Sequence, residues 1–143
     1  MKEIVRYPNC FVCGEKNQSG LRARFYWDGH EARTTVVTTD AFEGYRGILH
    51  GGVISSLLDE VMIKAVLAQE HFVVTAEMSV RFLQPARVGE TLNFVGRIIR
   101  NRGRVFFTYG EAMRENGAVI ATASGKYIDA ARLHEELRRS LDD

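Results

Sequence analysis

Apolar residues are densest between His50 and Ala68, and there they follow no narrow stripe. At roughly 100° per residue, Ile54, Leu57, Leu58, Val61 and Ala65 make one broad apolar face. Val53, Met62, Ile63, Val66 and Leu67 carry apolar character around most of the remaining circumference. A helix that is apolar on nearly every side is a buried helix. Gly51 and Gly52 open it, and Asp59 and Glu60 interrupt it. Glu60 and Lys64 stand at i and i+4 with the acid first, the better order for a surface ion pair worth about 0.3–0.5 kcal/mol. Asp59 falls instead among Ser55, Met62, Ile63 and Val66. The pattern thus gives Glu60 to the surface and Asp59 to an apolar setting, where a carboxylate is costly without a reason. A base or nucleophile is one reason, and a local hydrogen bond is another.

Outside the helix the period shortens to two. Residues 21–27 alternate, Asp28-Gly29 is a hairpin signal, and 31–39 are rich in Thr and Val. Four further strands are predicted over 71–83, 91–100, 104–113 and 118–128. Their turns fall at Pro85 and Gly89, at Asn101-Arg102-Gly103 and at Glu115-Asn116-Gly117. The predicted order is a strand hairpin, one long helix, then four antiparallel strands in a meander. That is an α+β fold, a single curved sheet closed around the helix. Residues 8–20 read as an ordered loop. From Ala130, Leu133, Leu137 and Leu141 predict a short amphipathic tail over about 130–143, with Arg138-Arg139 on its solvated face.

The 143 residues suit one domain spanning 1–143. A formal net charge of +1 gives no electrostatic ground for nucleic acid or a membrane surface. No apolar run nears the roughly 20 residues that span a bilayer, and the start carries no apolar signal core. The expectation is a cytoplasmic protein. Cys10 and Cys13 form a lone C-x-x-C, two of the four ligands zinc usually takes, and His30, His50, His71 and His134 offer no H-x-x-x-H pair. Structural, metal and redox readings of the pair stay open, structural use being expected, and the residue pattern assigns no metal and no cofactor.

His50-Gly51-Gly52 with Asp59 makes H-G-G-x(6)-D, which resembles the hot-dog fold acyl-CoA thioesterases of the PaaI-like and THEM-like group. The stretch Cys10-Phe11-Val12-Cys13-Gly14-Glu15-Lys16-Asn17-Gln18-Ser19-Gly20-Leu21 is similar to the opening loop of one branch. So are Gly44-Tyr45-Arg46-Gly47 before the histidine and Phe82-Leu83-Gln84-Pro85-Ala86 with Val88-Gly89-Glu90 after the helix. The likeness covers about residues 10–129. Gln18 replaces a proline of that branch, and Gly44 stands where other branches carry an asparagine.

The resemblance implies acyl-CoA thioester hydrolysis in a homodimer or dimer of dimers. It implies Gly51 as the amide that polarises the carbonyl, Asp59 as base or nucleophile, and Thr75 as the orienting strand hydroxyl. His50 and Gly52 would shape the substrate mouth, with the histidine holding the loop. Met62 and Ile63 would line an apolar tunnel. Arg102 and Arg104, with Arg81 and Arg100 as further candidates, would meet the coenzyme A arm. An acyl-CoA or acyl-carrier binding module without turnover is the alternative.

Spacing adds an argument of its own. Gly51 and Asp59 are eight positions apart, so about 12 Å along a helix. One carbonyl group cannot touch both within a hydrogen-bond length. If both act on one thioester, they come from two chains.

Overall fold

The structure, a computed structural model, describes residues 1–142. Helix α1, Gly51–Leu67, is buried along Val53, Ile54, Leu57, Leu58, Val61, Met62, Lys64, Ala65 and Val66. Its all-round apolar pattern requires that burial. Seven antiparallel strands form one sheet around it: β1 (Lys2–Glu3), β2 (Tyr26–Trp27), β3 (Ala32–Val37), β4 (Val73–Phe82), β5 (Thr91–Arg102), β6 (Val105–Arg114) and β7 (Val119–Asp129). They lie in the order β1-β2-β3-β5-β6-β7-β4, and α1 packs on β3 through β7. This is the α+β hot-dog architecture, a curved sheet wrapped on a central helix.

Two glycines let the helix sit close. Gly96 on β5 and Gly110 on β6 are cross-strand partners. A Cβ on Gly96 would lie 2.6 Å from the Val61 carbonyl oxygen, and one on Gly110 would lie 3.2 Å from Met62 Cγ. Glycine inside a strand marks such a close backbone approach.

The predicted four-strand meander holds only for β5, β6 and β7. β4 does not pair with β5; it pairs with β7 and forms the opposite edge of the sheet. The segment from Leu83 to Glu90 is therefore a crossover and not a tight turn. It passes over the mouth of α1, where the Leu49 N–H donates to Ala86 O at 2.8 Å and the Gly89 N–H donates to Thr38 O at 2.9 Å. Enclosing the helix goes with this path, because β3 and β4 lie on opposite sides of the β5-β6-β7 meander.

The short strand β1, pairing with β2, had no sequence signal. Helix α2 runs over Ala131–Asp142, with Asp129 Oδ1 accepting the Ala131 N–H at 2.9 Å. Leu133 and Leu137 remain 41% and 49% exposed, while residue 143 and the side chain of Leu141 lie outside the described residues. Among the described residues, no helix is long and apolar enough to cross a membrane.

Candidate functional site

The N-terminus of α1 is capped by His50. Its backbone is extended (φ −60°, ψ 131°), and its Nδ1 accepts the Gly52 N–H at 2.8 Å. A Cβ on Gly52 would stand 2.9 Å from that nitrogen, so glycine is what admits the imidazole. The His50 carbonyl takes the N–H groups of Val53 and Ile54. Among the described residues, the Gly51 N–H has no acceptor. A helix start carries a partial positive charge of about half a unit, and here it concentrates on one free amide. Gly51 opens on a pocket of about 800 Å³, walled by Tyr45, Ile48, Ile54, Phe82, Leu83 and the crossover residue Ala86. A Cβ on Gly51 would meet only the Phe82 ring, at 3.5 Å.

Two turns along, Asp59 meets the opposite end of β4. Thr75 Oγ1 donates to Asp59 Oδ1 at 2.9 Å, and the Tyr127 hydroxyl donates to the same oxygen at 2.8 Å. Thr75 and Tyr127 are cross-strand partners on β4 and β7, so their side chains rise from one face of the sheet. A bulge follows directly between Thr75 and Glu77, the kind of irregularity that re-aims a side chain. Tyr127 is fully buried; burial first, and then the Asp59 charge, push its hydroxyl well above the ordinary tyrosine range. It therefore stays a donor. Asp59 Oδ2 has no partner among the described residues. The surroundings of Asp59 are thus two hydroxyls, not the apolar setting that its helical position predicts.

Glu60 is the second correction. Its 3.7 Å pair with Lys64 exists, but not at the surface: the Lys64 side chain is fully buried and that of Glu60 is 13% exposed. The loop carrying Cys10 and Cys13 covers this flank of α1. Burial first, then the Cys10 charge, raise the Glu60 carboxyl to about 7, against the pull of Lys64.

The remaining candidates scatter. Met62 is fully buried against Gly110, in the core rather than on a pocket wall. Ile63 borders a second pocket with Cys10 and Glu60. Arg102 ends β5 and Arg104 follows it, with the Arg104 guanidinium donating to Asp129 O at 3.1 Å. Both sit at the Asp59 end of the sheet, since Val105 pairs with Ile128, beside Tyr127. Arg100 stacks on Phe107 at 4.3 Å. The fold joins Asp59 with Thr75 and gathers His50, Gly51 and Gly52, but keeps the two groups at opposite ends of β4. Sequence reading missed Tyr127. Its signal was the inward face of β7, where Ala121, Ala123 and Gly125 precede one large residue with a polar tip.

The sequence pattern of the thioesterase superfamily matches residues 46–121. An uncharacterized protein of Schizosaccharomyces pombe is 30% identical over 99 residues, 65% of this chain and 57% of its own length. Among solved structures, a thioesterase superfamily protein superposes with a TM-score of 0.80 at 28% identity, covering 85% of this chain and 61% of its own. A Streptococcus mutans protein solved with acetyl-CoA bound superposes at 0.70 with 20% identity, covering 74% of this chain and 88% of its own. The chain thus spans about three fifths of the length of the first two.

Proposed function

The chain belongs to the thioesterase superfamily, and from that premise we propose that it hydrolyses acyl-CoA thioesters, with residues 1–143 acting as one hot-dog domain. The observation that carries the reading is the division of labour within Asp59. Oδ1 is held by Thr75 and Tyr127, while Oδ2 is unclaimed. A carboxylate fixed by one oxygen and free at the other is built to act as a base on water, or as a nucleophile.

In the base route, Asp59 Oδ2 takes a proton from water as the water oxygen attacks the thioester carbon. The carbonyl oxygen gains negative charge and is met by the free Gly51 N–H at a helix N-terminus. Collapse breaks the carbon–sulfur bond, and the proton on Asp59 passes to the departing thiolate. The acyl part occupies the apolar pocket beside Phe82 and Leu83. Arg102 and Arg104 face the phosphates of the coenzyme A arm. The S. mutans neighbour with acetyl-CoA supports that ligand class through fold likeness.

Gly51 and Asp59 do not converge within the chain, so the reading requires two copies. Two features support a dimer formed along β4. That strand has one paired edge only, and Val74, Phe82 and Leu83 along and just beyond it are 41%, 50% and 51% exposed. Antiparallel pairing of β4 with its symmetry copy brings the Thr75 end of one chain to the Phe82 end of the other. Gly51 of the second copy then stands opposite Asp59.

Gly51→Pro isolates the amide. Proline is favoured at the first helical position, and the extended His50 tolerates a following proline. The variant keeps its fold and loses on the order of 10²–10³ in kcat. Mixing Gly51→Pro chains with Asp59→Asn chains restores one intact site per heterodimer, about a quarter of native activity for random C2 pairing. No recovery under demonstrated subunit exchange would overturn the shared site. Tight acyl-CoA binding without thiol release by the native chain would replace hydrolysis with a binding role.

A further inference from the structure

The C-x-x-C loop and the second acid of α1 meet on the flank away from the thioester site. Cys10 Sγ lies 3.6 Å from Glu60 Oε2, and the Cys13 N–H donates to Cys10 Sγ at 3.4 Å. The two sulfurs and a Glu60 oxygen all lie within 4.8 Å of one another. Lys64 Nζ donates to Cys13 Sγ at 3.4 Å and to the Val5 carbonyl. Sequence spacing supplied two soft ligands, and folding supplies a third.

We propose that Cys10, Cys13 and Glu60 bind a divalent cation of the zinc class, with Lys64 as the outer donor to Cys13 and a water as the fourth ligand. Geometry is the first support. A metal about 2.3 Å from sulfur and about 2.1 Å from oxygen, at a tetrahedral angle, sets those atoms about 3.6 Å apart. The Cys10–Glu60 separation matches that edge.

The loop itself is the second support. The Gly14 N–H donates to Cys10 O at 2.9 Å, and a Cβ on Gly14 would strike that oxygen at 2.4 Å. The turn is therefore wound tightly enough to aim the Cys13 N–H at Cys10 Sγ, which favours the thiolate a metal needs.

Charge is the third support. Two thiolates, one carboxylate and the Lys64 ammonium sum to −2 in a largely buried place. A divalent cation brings the sum to zero. A path for the fourth ligand exists, because Cys10 and Glu60 border a pocket of about 590 Å³ with Tyr7, Ile63 and Phe72. The bound cation would pin the 8–20 loop to α1 one residue beyond Asp59.

The test uses the whole reduced chain, stripped with chelator and titrated with Co²⁺ under nitrogen. One equivalent per chain, with thiolate-to-cobalt charge-transfer absorption and tetrahedral d–d bands that Zn²⁺ abolishes, is the expected result. Cys10→Ser and Cys13→Ser each diminish the charge-transfer band and weaken binding on the order of 100-fold or more. That exceeds the roughly 10–100-fold that loss of an outer partner such as Lys64 costs. Glu60→Gln keeps the sulfur band but weakens binding. A native chain that shows no sulfur-to-cobalt band overturns the site, whatever the variants do. So does binding that survives Cys10→Ser unchanged.

Discussion

Asp59 and Glu60 are neighbours in one helix, about 100° apart around its axis, and the fold uses them in different ways. Asp59 faces β4 and β7 and receives two hydroxyl hydrogen bonds at one oxygen. Glu60 faces the N-terminal loop and shares its flank with Lys64, Cys10 and Cys13. The first carboxylate is satisfied and half open; the second is closed in and charge-compensated. A buried helix can thus hold two adjacent acids only because each flank brings its own partners. Removing Asp59 should register in turnover, and disturbing Glu60 or its partners should register in stability.

The largest contrast comes from Asp59→Asn. It should lower kcat on the order of 10³-fold, within the usual range for losing a positioned base, with little change in melting temperature. Thiol release over a panel of acyl-CoAs measures it, and turnover within tenfold of native would erase the functional difference between the two acids.

Lys64→Met attacks the other flank. It leaves an isosteric stem but strips the buried cluster of its cation. Breaking one side of a buried pair costs about 3 kcal/mol or more. Denaturant unfolding at pH 8, where Glu60 is ionised, should show the larger loss. At pH 5 the carboxyl holds its proton and the loss shrinks. Equal losses at the two pH values would mean that Lys64 acts through packing alone.

Much of this architecture is legible in the sequence. The all-round apolar run from Val53 to Leu67 fixes a buried helix, and the period-two segments fix the strands. The hairpin turns at Gly29, Gly103 and Gly117 adopt positive φ, as their flanking residues predict. What failed was long-range. The angular position of Glu60 on the helix is the same whether solvent or a loop fifty residues upstream covers it. Lys64 read as a surface partner because nothing local announces that residues 5–13 lie over it. The crossing of β4 to the far edge has no turn signature either, because it goes with enclosing the helix. At the site, H-G-G and Asp59 were visible as a pattern, whereas Tyr127 needed the β7 register to bring it to the carboxylate.

The Glu60 carboxyl also separates the flanks by pH. Its folded value is raised to about 7, against an ordinary 4.5. The folded chain therefore binds more protons between about 4.5 and 7. Stability from this group is complete below 4.5 and is lost as pH rises through 7. Cys10, lowered to about 5 from 9.0, acts with the opposite sign above pH 5. Because the thiol and the carboxyl touch, the comparison is made in a Cys10→Ser background, where its difference from Cys10→Ser with Glu60→Gln isolates the carboxyl. In reduced, chelated buffer it should fall by on the order of 2 kcal/mol across the window. A flat difference would place Glu60 in water after all.

The smallest effect falls on the Asp59 flank and asks how firmly Oδ1 is held. Tyr127→Phe keeps the ring, so the packing over Gly125 survives, where a Cβ would stand 2.5 Å from Tyr127 Cε2. Only the hydroxyl goes. Thr75 then remains as the one donor to Oδ1. Because Tyr127 touches the carboxylate and not the substrate, the loss should appear in kcat, about 10-fold, with KM little changed. Thr75→Val removes the other donor to similar effect. In the double variant nothing orients Asp59, and the combined loss should exceed the product of the two single losses, since either donor alone still fixes the oxygen. If the double variant is no slower than either single one, the two hydroxyls serve the fold of β4 on β7, and Asp59 is positioned by its helix alone.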